Sequence, residues 1–279
     1  MKTVRDAHAL RSLVREARAS GQSISFVPTM GALHEGHLSL VRRARRECPF
    51  VVVSIFVNPL QFAPGEDLAR YPRREQDDLA ALEREHASAV YLPAAEDLYP
   101  PGFSTAIEVG GVSEGGEGAA RPGHFRGVAT VVAKLFLQIA PDVAVFGSKD
   151  LQQAAVVRRM IRDLDFPVRL VVGETVREPD GLAMSSRNAY LSPADRRLAA
   201  AFPRALFEAR DDVDRGERDA ERVMAAVRRK LTEAGLAVDY VDVIDPDTMS
   251  PVREAKRGSA LAAAVRIGRT RLIDNVRLP

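Results

Sequence analysis

The apolar positions of the chain follow two alternating patterns. Short apolar runs are separated by longer stretches in which the apolar positions recur with helical spacing. The runs lie at residues 24–27, 50–57, 89–92, 143–146 and 168–172. The run at 50–57, FVVVSIFV, is rich in β-branched residues, as is typical of a parallel strand covered on both faces. The alternation predicts strand–helix–strand units and therefore an α/β domain built on a parallel sheet.

The pattern changes near residue 175. Two helical stretches follow, and residues 238–244 then alternate apolar and polar positions, as a half-exposed strand does. Two more strand candidates lie at 260–267 and 270–276. We therefore predict two domains, residues 1–175 and residues 176–279, of which the second is a smaller α+β domain. Within the first, residues 100–118 are rich in glycine and proline and predict an irregular excursion or a hairpin.

The most informative stretch follows the first predicted strand and reads PTMGALHEGH, residues 28–37. A proline and a glycine end the strand, and a run with helical spacing begins after the two histidines. A helix N-terminus presents unpaired backbone N–H groups and the positive end of its dipole, which favours an anion. His34 and His37 lie on one face of that first turn because they are three residues apart. The simplest ligand for this arrangement is a phosphate chain.

Two other interpretations of the histidine pair stay open. The histidines could be partly buried scaffold residues of an ordinary strand–turn–helix unit. They could also share a zinc ion, but zinc sites need three or four ligands, and His8, His86 and His124 form no ligand-like cluster in the sequence. The stretch also lacks the His-Glu-x-x-His pattern of zinc proteases.

Asn58 and Gln61 follow directly after the predicted strand at 50–57. Ligands of open parallel sheets bind beyond the carboxyl ends of the strands, so these two amides are candidates for ligand binding. Asn58 could instead stabilise the turn before Pro59. Gln61 has no such turn role and is the stronger candidate of the two.

Lys149 and Asp150 follow the predicted strand at 143–146 in the same way. A lysine beyond a strand end can neutralise phosphate or developing negative charge, and an aspartate there can bind a ribose hydroxyl. Gln153 faces the same end of the sheet if its helix begins near Asp150. Asp150 could also serve as the N-cap of that helix.

Two loops and one acidic pair complete the candidates. Residues 121–127, RPGHFRG, precede a predicted helix, and Arg121 is suited to bidentate contacts with a carboxylate or phosphate. Ser185, Ser186 and Arg187 lie on a predicted loop and are candidates for phosphate binding. A surface loop with capping residues would look similar to residues 121–127. Asp77 and Asp78 open another predicted helix, where they complement the helix dipole; a magnesium role for the pair is the weaker alternative.

Composition excludes several classes of protein. The chain has 279 residues, an apolar fraction of 46% and a net charge of +2, which give no case for nucleic acid or an acidic membrane surface as a partner. Cys48 is the only cysteine, so no intramolecular disulfide or cysteine metal cluster can form. The N-terminus is polar and no apolar stretch approaches the length of a membrane span, so we expect a cytoplasmic protein.

Read in order, these stretches resemble the pantothenate synthetase (pantoate–β-alanine ligase) family. Residues 28–37 are similar to that family's form of the His-x-Gly-His signature, which nucleotidylyltransferases and class I aminoacyl-tRNA synthetases share. The other matching stretches are FVNPLQF at 56–62, 121–127, FGSKDLQQ at 146–153 and MSSRN at 184–188. One departure is Ser148, where the family pattern leads us to expect an acidic or amide side chain.

The resemblance implies a fold and a reaction. The fold is a Rossmann-like parallel sheet of the His-x-Gly-His nucleotidylyltransferase type, with the smaller C-terminal domain acting as a lid. The reaction is the ATP-dependent condensation of (R)-pantoate with β-alanine, which gives pantothenate, AMP and pyrophosphate through a pantoyl adenylate. The resemblance also implies Mg²⁺ supplied with ATP and a homodimer.

The resemblance also implies roles for individual residues. The catalytic residues would be His37, the favoured proton donor, with His34, Lys149 and Arg187. Pantoate and β-alanine would contact Gln61, Gln153, Asn58 and Arg121. ATP would be bound by Met30, Gly31, Ala32, Leu33, His34, Glu35, Gly36, His37, Gly147, Ser148, Lys149, Asp150, Val176, Met184, Ser185, Ser186 and Arg187.

Two rival functions are distinguished by particular residues. A different nucleotidylyltransferase would share the histidine turn but would not need Gln61 and Gln153 in these contexts. A nucleotide-binding protein without catalytic activity would tolerate the loss of His37 or Lys149. A tRNA synthetase is disfavoured because no appended basic domain is present.

Overall fold

The structure, a computed structural model, describes all residues from Met1 to Pro279 and contains two compact units. The sheet unit comprises Met1–Val109, Pro122–Ser148 and Val156–Glu174. The C-terminal unit comprises Thr175–Pro279 together with two earlier segments, Gly110–Arg121 and Lys149–Ala155. The functional division into residues 1–175 and 176–279 stays a prediction.

The strands and helices alternate through the first two thirds of the chain. In chain order, the elements are β1 (Lys2–Val4), α1 (Ala7–Ala19), β2 (Ile24–Thr29), α2 (Glu35–Glu47), β3 (Phe50–Ile55), α3 (Glu75–Arg84), β4 (Ala89–Tyr91), α4 (Ala95–Leu98), α5 (Gly116–Ala120), α6 (His124–Ile139), β5 (Val143–Gly147), α7 (Leu151–Asp163), β6 (Arg169–Gly173), α8 (Pro193–Ala199), α9 (Ala201–Asp214), α10 (Ala220–Glu233), β7 (Ala237–Ile244), β8 (Ala260–Ile267) and β9 (Thr270–Arg277).

The sheet unit is built on six parallel strands in the order β1-β4-β3-β2-β5-β6. The central pair, β2 and β3, runs in register from Ile24 opposite Phe50 to Thr29 opposite Ile55. The predicted parallel α/β sheet is therefore confirmed. β1 was not predicted, because its sequence, Lys-Thr-Val, is short and carries no apolar run.

Both faces of this sheet are covered, as the apolar strands require. Val27, Val53 and Val145 pack on one face with Val41 of α2. On the other face the ring of Phe26 meets Phe136 of α6 edge to face, with centroids 6.3 Å apart.

The C-terminal unit contains an antiparallel sheet in the order β7-β8-β9. Leu261, Ala263 and Val265 of β8 pack in one cluster with Phe202 and Leu206 of α9. This smaller α+β arrangement is the one that the sequence predicts.

Two local features add to the sequence-based expectations. Of the two alternatives for residues 100–118, the irregular excursion is the one observed, since residues 103–109 form neither strand nor helix; the short helix α5 that follows was not predicted. Helix α2 begins at Glu35 because His34 acts as its N-cap, a role more typical of serine, threonine or aspartate. No helix of the structure combines the length and the apolarity needed to cross a membrane.

Candidate active site

The turn between β2 and α2 has an unusual backbone. Gly31 and Ala32 have positive φ angles of 80° and 49°. A Cβ atom on Gly31 would lie 2.9 Å from Ile55 Cγ2 and 3.0 Å from Asp78 Oδ2, so only glycine fits there. The Thr29 hydroxyl joins the turn to the sheet, because it accepts from Gly31 N and donates to the carbonyl of Ser54.

Asp78 holds the same turn from helix α3. Its Oδ2 accepts the N–H of Ala32 at 2.8 Å and its Oδ1 accepts the N–H of Leu33 at 2.7 Å. The side chain is buried, and burial raises its pKa while the two backbone N–H groups oppose that rise. Both carboxylate oxygens are thus engaged with the turn, whereas the neighbouring Asp77 is exposed.

His34 and His37 are brought together at the N-terminus of α2, as predicted. Their rings lie 4.1 Å apart between centroids. Nδ1 of His34 accepts the N–H of Gly36, and Nδ1 of His37 accepts the N–H of His34. In the neutral imidazoles this places the proton on Nε2, which is a donor suited to an anion. The structure gathers no group of three or more His, Cys, Asp and Glu side chains able to hold a metal ion, which leaves the zinc interpretation without a third ligand.

Gln61 is held near the same strand ends by Asn58. Asn58 is buried; its Nδ2 donates to Gln61 Oε1 and to the carbonyl of Gly127, and its Oδ1 accepts from the hydroxyl of Tyr99. The Nε2 of Gln61 lies 3.1 Å from the sulfur of Met30. Met30 and Gln61, two of the predicted ligand contacts, therefore touch each other, and Asn58 orients the amide of Gln61.

In the C-terminal unit, Lys149 and Asp150 form an ion pair of 3.6 Å. The carbonyl of Lys149 accepts from Asn275 Nδ2 at 2.9 Å, which ties the start of α7 to β9. Of the two adjacent glutamines, Gln153 is half-buried and Gln152 is buried. The Gln152 side chain binds the backbone of residues 112–117, so it has a structural role that the sequence did not reveal.

The loop carrying Val176 and Met184–Arg187 is held by an ion pair with a buried aspartate. Arg177 donates to both oxygens of Asp274, at 2.7 and 2.9 Å, and also to the carbonyl of Gly181. Burial raises the pKa of Asp274, and the Arg177 guanidinium opposes that rise. The hydroxyl of Ser185 accepts the N–H of Arg187 and caps a short helix, Ser186–Tyr190. The predicted phosphate-binding residues thus lie on a loop that is held by these contacts.

Arg121 ends the short helix α5 of the C-terminal unit. Its guanidinium lies 3.8 Å from the carboxylate of Glu117, and both side chains are largely buried. Glu117 in turn pairs with Arg271 of β9. Sequence reasoning missed Glu117, Arg177 and Arg271, because their partners are far away in the chain and no local pattern indicates such pairs.

Comparison with known proteins identifies the family. A family model described as pantoate-beta-alanine ligase matches residues 2–277. The chain belongs to the pantoate–β-alanine ligase family. It is 52% identical to a pantothenate synthetase of Rhizorhabdus wittichii over 277 aligned residues. The alignment covers 99% of this chain and 98% of that protein. It is also 52% identical to a pantothenate synthetase of Anaeromyxobacter dehalogenans, with both chains fully covered.

Solved structures of the family agree with this fold. Pantothenate synthetase from Thermus thermophilus superposes with a TM-score of 0.95 at 47% identity, over 100% of both chains. Pantoate-beta-alanine ligase from Francisella tularensis, complexed with beta-gamma ATP and beta-alanine, superposes with a TM-score of 0.83 at 32% identity, over 99% of this chain and 97% of that one. The predicted family, fold class and ATP-using ligase activity are confirmed.

Proposed function

We propose that the chain condenses pantoate with β-alanine in two steps, using the predicted residues in their predicted roles. The observation that carries this proposal is the histidine pair at the N-terminus of α2. Both imidazoles accept backbone N–H groups at Nδ1, which places the proton of each neutral ring on Nε2, a donor of the kind that an anion needs. A phosphate chain at a helix N-terminus matches both the donors and the helix dipole.

In the first step, a carboxylate oxygen of pantoate attacks the α-phosphorus of ATP. The bond from the α-phosphorus to the bridging oxygen breaks, and pyrophosphate leaves with the negative charge. Such a step depends on positioning and on charge neutralisation more than on covalent help. His34 and His37 donate to the phosphates, with His37 as the favoured proton donor, and Lys149 and Arg187 supply positive charge.

The nucleotide would be held by backbone groups and side chains of the matched family stretches. The ATP contacts we propose are Met30, Gly31, Ala32, Leu33, Glu35, Gly36, Gly147, Ser148, Asp150, Val176, Met184, Ser185 and Ser186, besides the four catalytic residues.

In the second step, the amine of β-alanine attacks the acyl carbon of pantoyl adenylate. The acyl–oxygen bond breaks, AMP leaves, and the amine loses a proton to give the amide. Gln61 and Gln153 orient pantoate, Gln61 also lies near β-alanine, and Arg121 pairs with a substrate carboxylate. Asn58 contributes by holding the Gln61 amide. Exclusion of water protects the acyl adenylate from hydrolysis.

Magnesium enters with ATP as part of the substrate. Mg²⁺ is usually bound through substrate phosphates and one or two carboxylates, so no preformed cluster of protein ligands is needed. Of the two candidates, Asp78 is the less suited, because its two oxygens already accept backbone N–H groups. A homodimer and a cytoplasmic location are proposed from the family resemblance alone.

The test is pantoate-dependent exchange of labelled pyrophosphate into ATP, with magnesium and without β-alanine. Exchange is expected because adenylate formation is reversible, and added β-alanine should then yield AMP and pantothenate. His37→Ala should lower the exchange rate by about 10²-fold or more, in the range of a lost proton donor. His8→Ala, at an exposed histidine of α1, serves as the matched control and should exchange normally.

Gln61→Ala separates substrate orientation from nucleotide binding. This variant should raise the KM for pantoate much more than the KM for ATP. Equal losses for both substrates would indicate a folding effect instead. Absence of exchange from the folded wild-type protein, across several related hydroxy acids, would favour another nucleotidylyltransferase reaction.

A further inference from the structure

The segment that carries Arg121 is held in the C-terminal unit by a buried glutamine. In sequence, Gly110–Arg121 lies between β4 and α6, but it belongs to the compact unit that contains β7, β8 and β9. Gln152 accepts the N–H of Glu117 at 2.9 Å and donates to the carbonyls of Val112 and Gly115 at 3.0 and 2.8 Å. These three hydrogen bonds fix the backbone at the start of α5.

Arg271 holds the same segment through an ion pair with Glu117. Its Nη1 and Nη2 donate to the two carboxylate oxygens of Glu117 at 2.8 and 2.5 Å, and its Nε donates to Asp239 of β7 at 2.6 Å. Glu117 is only 6% exposed. All three nitrogens of the guanidinium therefore donate to carboxylates, in the bidentate geometry that arginine forms and lysine does not.

Glu117 in turn contacts both the backbone and the side chain of Arg121. The carbonyl of Glu117 accepts the N–H of Arg121 at 2.9 Å, and its carboxylate lies 3.8 Å from the Arg121 guanidinium. With Arg271 in place, the Glu117 carboxylate has two strong donors. Without Arg271, the buried carboxylate would lose these two donors, and Arg121, already 3.8 Å away, would be the cation left to pair with it more closely.

We infer that Arg271 is a positioning residue for substrate binding, because it satisfies Glu117 and so keeps the Arg121 guanidinium directed to the carboxylate of pantoate. This inference rests on the role proposed above for Arg121. Loss of Arg271 would draw Arg121 onto Glu117, in direct competition with the substrate carboxylate. The effect should therefore fall on the binding of the acid substrate and not on the nucleotide.

A double-mutant cycle with Arg271→Met and Arg121→Ala tests the inference. Arg271→Met should raise the KM for pantoate about tenfold, with kcat and the KM for ATP changed by about twofold or less. The double variant should be no worse for pantoate than Arg121→Ala alone, because both changes remove the same interaction. Arg266→Met is the matched control, since Arg266 pairs with the same Asp239 but not with Glu117; it should leave all three constants unchanged.

Three results would overturn the inference. The first is a double variant in which the two effects multiply, since that indicates independent damage. The second is an equal rise in the KM values for pantoate and ATP after Arg271→Met. The third is a normal KM for pantoate in Arg121→Ala, since that result would show that Arg121 does not bind pantoate. Pantoate-dependent pyrophosphate exchange tests the overall reaction separately. If Arg271→Met does not fold, Arg271→Gln replaces it, and the same outcomes decide.

Discussion

Asp78 is the single side chain on which the geometry of the histidine turn depends most directly. Two consecutive backbone N–H groups, from Ala32 and Leu33, donate to its two carboxylate oxygens. Ala32 has a positive φ, an uncommon conformation for a residue with a side chain, and it persists only where the surroundings fix it. The carboxylate therefore sets the direction in which the chain enters α2 and presents His34 and His37.

We predict that Asp78→Asn slows the reaction without changing its magnesium requirement. An amide offers one oxygen in place of two, so one buried N–H loses its acceptor, at a cost of about 1–3 kcal/mol in the free energy of unfolding. The displaced turn should lower kcat about tenfold or more, because small shifts of catalytic groups are costly. Urea unfolding and pyrophosphate exchange over a range of Mg²⁺ concentrations measure both effects.

Glu83→Gln gives the control for this substitution. It removes a carboxylate from an exposed position of the same helix, α3, and should change neither stability nor rate. If Asp78→Asn instead raised the Mg²⁺ concentration needed for half-maximal rate and left kcat intact, Asp78 would be a metal ligand and the positioning role would be wrong.

Single residues also show which parts of the candidate site can be predicted from the sequence. His34, His37, Gln61 and Lys149 were found because each follows a predicted strand, and strand ends are where parallel sheets bind ligands. The residues that hold the candidates in place were not found. Asp78 acts on residues about 46 positions away, and Arg271 acts on a glutamate 154 positions away. Such pairs depend on tertiary structure and leave no periodic or local pattern in the chain.

Among the secondary-structure elements, α6 approaches the loop after β3 unusually closely. A Cβ atom on Gly127 would lie 2.2 Å from the carbonyl oxygen of Leu60 and 2.6 Å from the nitrogen of Gln61. The carbonyl of Gly127 also accepts from Asn58. The absence of a side chain at this one helical position therefore allows α6 to support the loop that carries Gln61.

We predict that Gly127→Ala destabilises the protein, although glycine to alanine usually stabilises a helix by about 0.5–1 kcal/mol. The new methyl group would meet backbone atoms that cannot rotate away, so the helix or the loop must shift, at about 1–3 kcal/mol. Because the loop carries Gln61, the KM for pantoate should rise as well. Thermal unfolding and steady-state kinetics give the two measurements.

Gly115→Ala provides the comparison, because open space surrounds the position of its Cβ atom and its φ is negative. It should unfold at nearly the wild-type temperature. A Gly127→Ala protein as stable as the wild type would show that α6 and the loop can separate without cost.

The elements themselves were largely predictable, and the exceptions have physical causes. Strands with uniform apolar runs and helices with a regular apolar face are recognised because burial imposes those patterns. β1 lacks an apolar run, and the start of α2 depends on a histidine cap. The helix α5 owes its place to Gln152 and Arg271 and not to its own composition, which is rich in glycine.

For the molecule as a whole, two large clusters of hydrophobic side chains each belong to one unit. The cluster around Val27, Val53 and Val145 lies entirely in the sheet unit. The cluster around Phe202 and Leu206 lies entirely in the C-terminal unit. A cluster with its own buried side chains can open without exposing the other, so the two units can differ in local stability.

We predict that Leu206→Ala loosens the C-terminal unit selectively. Leu206 is fully buried in its cluster, and truncation of such a leucine costs about 2–5 kcal/mol. Amide hydrogen exchange should become faster in β7, β8 and β9 and stay unchanged in β2 and β3. Leu198→Ala, at a leucine that is 42% exposed in the same unit, should leave both sets of strands unchanged. Equally faster amide exchange in β2 and β3 would mean that the whole chain unfolds cooperatively. The predicted boundary at residue 175 would then not separate two units of different stability.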